Sequence, residues 1–301
     1  MMAGMSGDWA LRPFGGVADR ALVEALWLAA LEGRWPLLPK AIAMVRDGFF
    51  AVESGRMVGC VAVDLAGSIP LVLVAPGHQR RGIGTDLLSA ALDRLRAAGV
   101  STAQAGSGGT GTIWPGVPAD LPEAGRLFAN CGWQAGQDTL DLVADLPDYQ
   151  APALAPGSLA PAGITIRPAA PADVAAVMAF EEATFPNWAR WFRAGNGDIL
   201  LARDDAGAIC ATLLLDGPGA DTVFEPMLGR AAATINCVGV APHVQGRGIG
   251  TALVARASEL LRDRGAGTCH ISWTVRESFY THAGYRPWRR YRMFRTSTRP
   301  H

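Results

Sequence analysis

The chain has 301 residues, of which 50% are hydrophobic and 18% charged. That excludes a disordered chain and leaves room for two domains, each with its own core. Basic and acidic residues balance at 27 each, which argues against a general nucleic-acid or membrane-surface binder.

In chain order, the first elements are a short strand at Leu11-Arg12-Pro13 and a helix opening near Asp19. Two strand-like runs follow, Phe49 to Glu53 and Met57 to Leu65, joined at Ser54-Gly55 as a hairpin. An apolar run from Leu71 to Pro76 leads into His78-Gln79-Arg80-Arg81-Gly82-Ile83-Gly84 and then a helix that stops at Gly99. Leu88, Ala91, Leu92 and Leu95 fall at helical spacing, the pattern of a core-packing face. The strand, glycine turn and helix order points free backbone N–H groups and the positive end of a helix dipole at an anion. Glycines there let the backbone approach a pyrophosphate. A last helix is expected around Ala124 to Trp133.

Pro147 to Gly163, rich in Pro, Ala and Gly, reads as a linker. Beyond it the pattern starts again. Ile166-Arg167-Pro168 and Asp173 echo the opening; Ile199 to Arg203 and Ala208 to Asp216 form a second hairpin pattern. Thr234 to Pro242 leads into Val244-Gln245-Gly246-Arg247-Gly248-Ile249-Gly250, and the helix after it, with Val254, Ala257 and Leu261 inward, stops at Gly265. Gly55 and Gly207 are offset by 152, Gln79 and Gln245 by 166, and Gly132 and Gly284 again by 152. The second copy therefore carries 14 extra residues before its loop-bearing strand, within Gly217 to Arg230, and the first copy 14 around Gly106 to Asp120. Insertions at such loops set specificity, so a shared scaffold with different substrates is expected.

The five cysteines have no Cys-x-x-Cys pair and no zinc-spaced His, so no metal site is expected. Cys60, Cys210 and Cys237 lie in apolar strand-like runs and read as reduced, buried thiols. No apolar run reaches the roughly 18 residues of a membrane helix, and no signal peptide precedes the first domain, so a cytoplasmic compartment is expected.

The Gln-x-x-Gly-x-Gly run between an apolar strand and an amphipathic helix, present twice, resembles the acetyl-CoA signature of GCN5-related N-acetyltransferases (GNAT). The resemblance covers nearly the whole chain. It implies two tandem α/β folds, each a mixed, splayed, mostly antiparallel sheet flanked by helices, at 1–146 and 164–301 with a linker at 147–163. It also implies acetyl-CoA as co-substrate. The strand backbone at Val238, Gly239 and Val240 would hold the pantetheine arm, and the loop at Gln245, Gly246, Arg247, Gly248, Ile249, Gly250 and Thr251 the pyrophosphate. Val72, Leu73 and Val74, with Gln79, Arg80, Arg81, Gly82, Ile83, Gly84 and Thr85, are their counterparts in the first copy.

The second copy's Phe279-Tyr280, followed by Gly284-Tyr285, is similar to the family's last-helix pattern, in which the tyrosine protonates the CoA sulfur; Tyr280 is the expected general acid. Phe128 stands opposite it in the first copy and cannot donate a proton. The first domain is accordingly expected to bind acyl-CoA weakly or without efficient turnover, to be structural, or to take its proton from water. Glu225 is the expected base, with Asp216 and His270 as further candidates. Glu182, Trp188 and Trp191 suit a cationic ring-shaped acceptor.

Ile113 to Pro118, the following Gly-Trp helix and Asp141 to Leu146 are similar to tandem acetyltransferases that act on glucosamine and glucosaminides in bacterial cell-wall turnover. The tandem layout is also similar to that of mycothiol synthases, from which the second copy departs in lacking an acidic–Asn segment before its last helix. The expected activity is acetyl transfer to the primary amine of a small acceptor, an amino sugar, by direct attack in a ternary complex. The alternatives are a non-catalytic acyl-CoA sensor and an enzyme acting on protein N-termini or lysines. A monomer or homodimer, with no nucleic-acid or membrane partner, is expected. The basic, aromatic stretch Trp288 to Arg295 fits a last strand, an interface or a contact for the CoA 3′-phosphate.

Overall fold

The computed structural model describes residues 8–31, 33–106, 114–152, 163–195, 197–220 and 222–299. Contacts divide the chain into two compact units, Met1–Thr139 with Arg289–His301, and Leu140–Trp288. These differ from the expected 1–146 and 164–301, because the end of each copy's final strand belongs with the other unit.

The first unit contains β1 (Trp9–Pro13), α1 (Arg20–Leu31), α2 (Pro39–Ala43), β2 (Asp47–Glu53), β3 (Arg56–Asp64), β4 (Ser68–Val74), α3 (Ile83–Ala97), β5 (Thr102–Ala105), β6 (Val117–Pro118), α4 (Pro122–Asn130) and the start of β7 (Gln134–Asp145). The second contains the end of β7, β8 (Thr165–Pro168), α5 (Val174–Thr184), α6 (Ala189–Arg193), β9 (Asp198–Arg203), β10 (Ile209–Asp216), α7 (Glu225–Leu228), β11 (Ala232–Val240), α8 (Ile249–Asp263), β12 (Thr268–Thr274), α9 (Glu277–His282) and the first residues of β13 (Arg286–Ser297). The rest of β13 lies in the first unit, antiparallel to β5 and β6, so the basic stretch from Trp288 to Arg295 is part of a sheet strand.

Each sheet is built the same way. β1, β2, β3 and β4 are antiparallel neighbours in order, as are β8, β9, β10 and β11. The next pair is parallel in both units, β4 with β5 and β11 with β12. The first hairpin closes through Ser54 at φ 49 and Gly55 at φ 76, the paired left-handed residues of a two-residue turn whose twist matches the strands. Both copies open with a strand clipped to the following turn. Arg12 donates two hydrogen bonds of 2.9 Å to Asp19; Arg167 donates bonds of 2.6 and 3.0 Å to Asp173, and Arg203 adds one of 2.8 Å.

The cores lie on the helix side of each sheet. Leu88, Ala91 and Leu95 of α3 are buried in the first, and Leu253, Val254, Ala257 and Leu261 of α8 in the second. Of the expected linker, 153–162 lie outside the described residues, as do 107–113 of the first insertion and Asp221 of the second. The linker's described start is not a free tether. Tyr149 is buried, donates its hydroxyl to the Ala283 carbonyl at 2.7 Å, and packs edge-on against Tyr285. An aromatic side chain amid prolines anchors the segment to its unit.

Candidate active site

The site of the second unit begins where the sheet comes apart. β11 and β12 pair only from Ala232–Thr268 to Ile235–Ile271, so Asn236 to Val240 have no partner on that side. Cys237 sits at φ 51, where the β10–β11 register shifts between Thr212 and Leu214. This bulge bends the strand away and leaves Val238 to Val240 with backbone groups facing the gap. The first unit repeats the opening more tightly: β4 and β5 pair only at Ser68–Gln104 and Ile69–Ala105, which leaves Val72 to Val74 free on that side.

Both glycine-rich loops fold into the same cradle. The N-caps of α3 and α8 are Gly82 at φ 97 and Gly248 at φ 79, and neither helix has a side-chain cap. Their first N–H groups therefore await an external acceptor. The loop glutamines anchor the backbone. Gln79 donates to the Val74 carbonyl at 3.1 Å, and Gln245 to the Val240 carbonyl at 2.9 Å. A Cβ at Gly250 would lie 3.1 Å from the Phe279 ring and 3.2 Å from Val240, so the end of β11, the start of α8 and α9 converge there.

The surroundings of the two cradles differ in charge. In the first, Arg81 binds Glu53 at 2.5 Å, His78 approaches the same carboxylate at 3.1 Å, and Asp86 stands in the first turn of α3. The Arg81 guanidinium holds the Glu53 carboxyl below the usual carboxylate range. In the second, Arg247 is exposed and makes no salt bridge with a described residue, and α8 has no acidic residue in its first turn. The first cradle also carries Arg80, exposed and without a salt bridge to a described residue, so an incoming anion meets a cation beside two carboxylates at one cradle and a cation with no acid in the helix's first turn at the other.

Tyr280 stands in α9, one residue beyond Phe279, and is buried with its ring against those of Phe279 and Tyr285. Its hydroxyl has no hydrogen-bond partner among the described residues, whereas Tyr149 bonds Ala283 and Tyr285 bonds Ser258 at 2.7 Å. Burial raises its pKa, so the hydroxyl keeps its proton throughout the neutral range. Phe128 occupies the matching place in the first unit, packed between Trp133 and Phe294.

The face of the second sheet opposite α8 is part apolar, at Leu201 and Leu214, and part polar. Leu213, Leu215, Ala233, Ile235, Cys269 and Ile271 point into the α8 core, so the intervening residues face the other way. There Thr234 donates to Asp216 at 2.9 Å, and Asn236 donates to Thr234 at 2.9 Å. His270 is buried under the rings of Phe224 and Trp288, with Asp141 at 3.3 Å. Burial pushes the Cys237 thiol up to about 12, which makes it a neutral wall and not a nucleophile.

The other expected residues are placed differently from one another. Glu225 is half-exposed at the start of α7, 3.6 Å from Arg230. Trp188 stacks on Phe185 at 5.0 Å, and the Arg190 guanidinium lies 4.9 Å over Trp191; both tryptophans pack against the small core of Val177, Phe192, Leu201 and Leu214. Glu182 faces outward, ion-paired with Arg193 at 2.5 Å. The inward carboxylate is its neighbour Glu181, which is fully buried, accepts a hydrogen bond from Thr212 and has a second oxygen with no partner. Glu181 follows the buried Val177 by four residues, so helical spacing already carried the signal that separates it from Glu182. Among the described residues no group of three or more His, Cys, Asp or Glu is placed to hold a metal ion, and no helix is long and apolar enough to cross a membrane.

Comparisons with known proteins agree with this geometry. The acetyltransferase (GNAT) family matches residues 169–285, and an acetyltransferase (GNAT) domain matches 46–135. Mycothiol acetyltransferase of Tsukamurella paurometabola is 30% identical over 282 residues, 85% of this chain and 88% of that one. A GCN5-related glucosamine N-acetyltransferase region in a fungal multi-domain GH3 β-N-acetylglucosaminidase superimposes with a TM-score of 0.85 at 28% identity; the match covers 96% of this chain and 38% of that longer one. A tandem GNAT protein from the clavulanic acid biosynthesis pathway shares the fold at a TM-score of 0.63 and 19% identity, over 97% of this chain and 99% of that one. Two cradles, two splayed sheets and these likenesses lead to one conclusion: the chain belongs to the GNAT family of acetyltransferases, which use acetyl-CoA, and is an acyltransferase of tandem GNAT architecture.

Proposed function

We propose that the second unit transfers acetyl from acetyl-CoA to the primary amine of a small amino sugar, by direct attack in a ternary complex. The observation that carries this reading is the unengaged hydroxyl of Tyr280, held next to a cradle with an exposed arginine and no acid in the first turn of its helix. In this reading the N–H groups from Gln245 to Thr251 and the Arg247 side chain hold the pyrophosphate, and the backbone of Val238, Gly239 and Val240 lines the pantetheine arm. Tyr280 gives its proton to the departing sulfur.

A sugar acceptor is supported by the polar part of that sheet face, where Asp216, Thr234 and Asn236 form a linked run of hydrogen-bonding groups. The similarity to a fungal glucosamine N-acetyltransferase region points the same way. In this reading the half-exposed carboxylate of Glu225 attracts a cationic ring and Trp188, itself partly exposed, stacks it. Val72 to Val74 and Gln79 to Thr85 keep the backbone of an acyl-CoA site in the first unit, weakened by Glu53 and Asp86 and without an acid at Phe128.

The test is CoA release from acetyl-CoA against glucosamine, glucosamine disaccharides, muropeptides, aminoglycosides, polyamines and a lysine peptide. Turnover confined to amino sugars is the expected result. Turnover only on the peptide would shift the acceptor to protein. Tight acetyl-CoA binding with silence across the panel would make the chain a sensor.

A further inference from the structure

Among the buried carboxylates described in the second unit, Glu181 has the thinnest support. Asp173 receives Arg167, Arg203 and a backbone N–H. Asp141 accepts the Trp273 N–H at 2.8 Å and faces His270. Glu181 has one bond, from Thr212, and a second oxygen that is buried and unpartnered. A residue serving only to pack α5 onto the sheet would do better as leucine, because an unmade hydrogen bond on a buried carboxylate is costly.

Its place in the fold gives that cost a purpose. Thr212 lies opposite Gly239 in the β10–β11 ladder, beside the bulge at Cys237. Phe185, one turn beyond Glu181, lies so close over Gly239 that a Cβ there would meet its ring at 2.5 Å. Glu181 from α5 raises the pKa of Cys237, Cys237 in turn raises that of Tyr280 from α9, and Tyr280 shares a packed cluster with Val238 and Val240 just beyond the bulge. Two helices thus bring a carboxyl and a hydroxyl, each with an open hydrogen-bonding position, to the bulge where the strands part.

From this juxtaposition we infer that Glu181 takes the proton from the acceptor's ammonium group. The inference rests on amine acetylation by the second unit and is independent of whether the amine is a sugar. The steps balance. The amine proton moves to the Glu181 carboxylate, and the freed nitrogen forms a bond to the thioester carbon. The carbon–sulfur bond breaks, and the Tyr280 proton goes to sulfur. The remaining excess proton on nitrogen returns to the Tyr280 oxygen, and Glu181 gives its proton to solvent. Burial pushes the Glu181 carboxyl up to about 7, opposed by the Thr212 bond, which suits a base working near neutrality. The titratable groups facing the same place are the Cys237 thiol of β11 and the Tyr280 hydroxyl of α9, both held neutral by burial, with Arg190 of α6 acting on Cys237.

The experiment compares pH–rate profiles of the wild type, Glu181→Gln, Thr212→Val and Glu225→Gln. It uses whichever amine the wild type acetylates fastest, and acetyl-CoA affinity is measured on each protein. Glu181→Gln is expected to lower kcat/KM for the amine by about 10²-fold or more near pH 7, recovering as rising pH supplies neutral amine. Acetyl-CoA affinity should stay near that of the wild type. Thr212→Val, which keeps the carboxylate and removes the bond that favours its charged form, should move the acidic limb to higher pH. A Glu181→Gln enzyme with an unchanged profile would overturn the assignment. So would a loss that tracks acetyl-CoA affinity while Thr212→Val leaves the limb in place, or disappearance of the limb in Glu225→Gln alone. A fastest acceptor that is not an amino sugar would remove the sugar and leave Glu181 as base; wild-type rates on glucosamine in Glu181→Gln would do the reverse.

Discussion

At the start of α3, Arg81 leans on Glu53, Asp86 sits in the first helical turn, and the ring at the matching place of the last helix belongs to Phe128. At the start of α8 the arginine is exposed, the first turn has no acid, and the ring carries a hydroxyl. The backbones agree closely: a glycine N-cap in the left-handed region, a glutamine tied to the last strand carbonyl, a parallel strand pair that parts after a few residues. A cradle is a property of the backbone, so duplication preserves it. Whether it serves an anion and a reaction depends on a few side chains that can change one at a time.

The largest expected effect is at the tyrosine. Tyr280→Phe should lower kcat by about 10²-fold or more with acetyl-CoA affinity retained, measured as steady-state CoA release. A normal rate would remove the chief difference between the units. Next comes the cation. Arg247→Ala should weaken acetyl-CoA binding by about tenfold, the scale of one charge-assisted contact, while Arg81→Ala leaves the tight site untouched. Calorimetric titration checks both, and equal effects would mean that the first cradle is the one in use.

The matched clips give a smaller contrast, in stability. Asp173 and Asp19 both have carboxyl pKa values held low, Asp173 by Arg167, a backbone N–H and Arg203, Asp19 by Arg12 and a backbone N–H. A depressed folded-state pKa contributes stability that is fully present above the unfolded value of about 3.9, declines as pH falls below it, and is gone only once pH has fallen through the lower folded-state value. Asp173→Asn should therefore lower Tm at pH 7 more than Asp19→Asn does, and the gap between each variant and the wild type should narrow at pH 3 without closing, least for Asp173, whose carboxyl is held low by more partners. A thermal scan at the two pH values decides.

The smallest effect concerns the loop backbone. Arg80 occupies the left-handed region at φ 63 where the second copy has Gly246 at φ 79. Arg80→Gly should change stability by no more than about 1 kcal/mol, toward greater stability, because relief of the strained backbone competes with a more flexible unfolded chain. Chemical denaturation would measure it.

Much of the architecture was legible beforehand. Both hairpins, both glycine-rich turns and the helices ending before Gly99 and Gly265 follow from periodicity and turn residues. The exchange of final strands was not, because β7 and β13 look like ordinary last strands and nothing local records which sheet they join. The inward turn of Glu181 was legible in its helical spacing from Val177, but its destination was not: only the packing of α5 over Thr212 brings it to the bulge, while Glu182 pairs with Arg193.

The sequence by itself determined the duplication, the two cradles and the absence of a hydroxyl at Phe128, since each is a matter of residue type at fixed spacing along the chain. The tertiary structure decided what surrounds those elements. It set Glu53 against Arg81 across 28 residues, closed His270 beneath Phe224 and Trp288, and left Glu181 with one oxygen bonded and one not. These depend on distant segments meeting in space. Burial and neighbouring charge, which set the strength of an acid or a base, exist only once those segments have met.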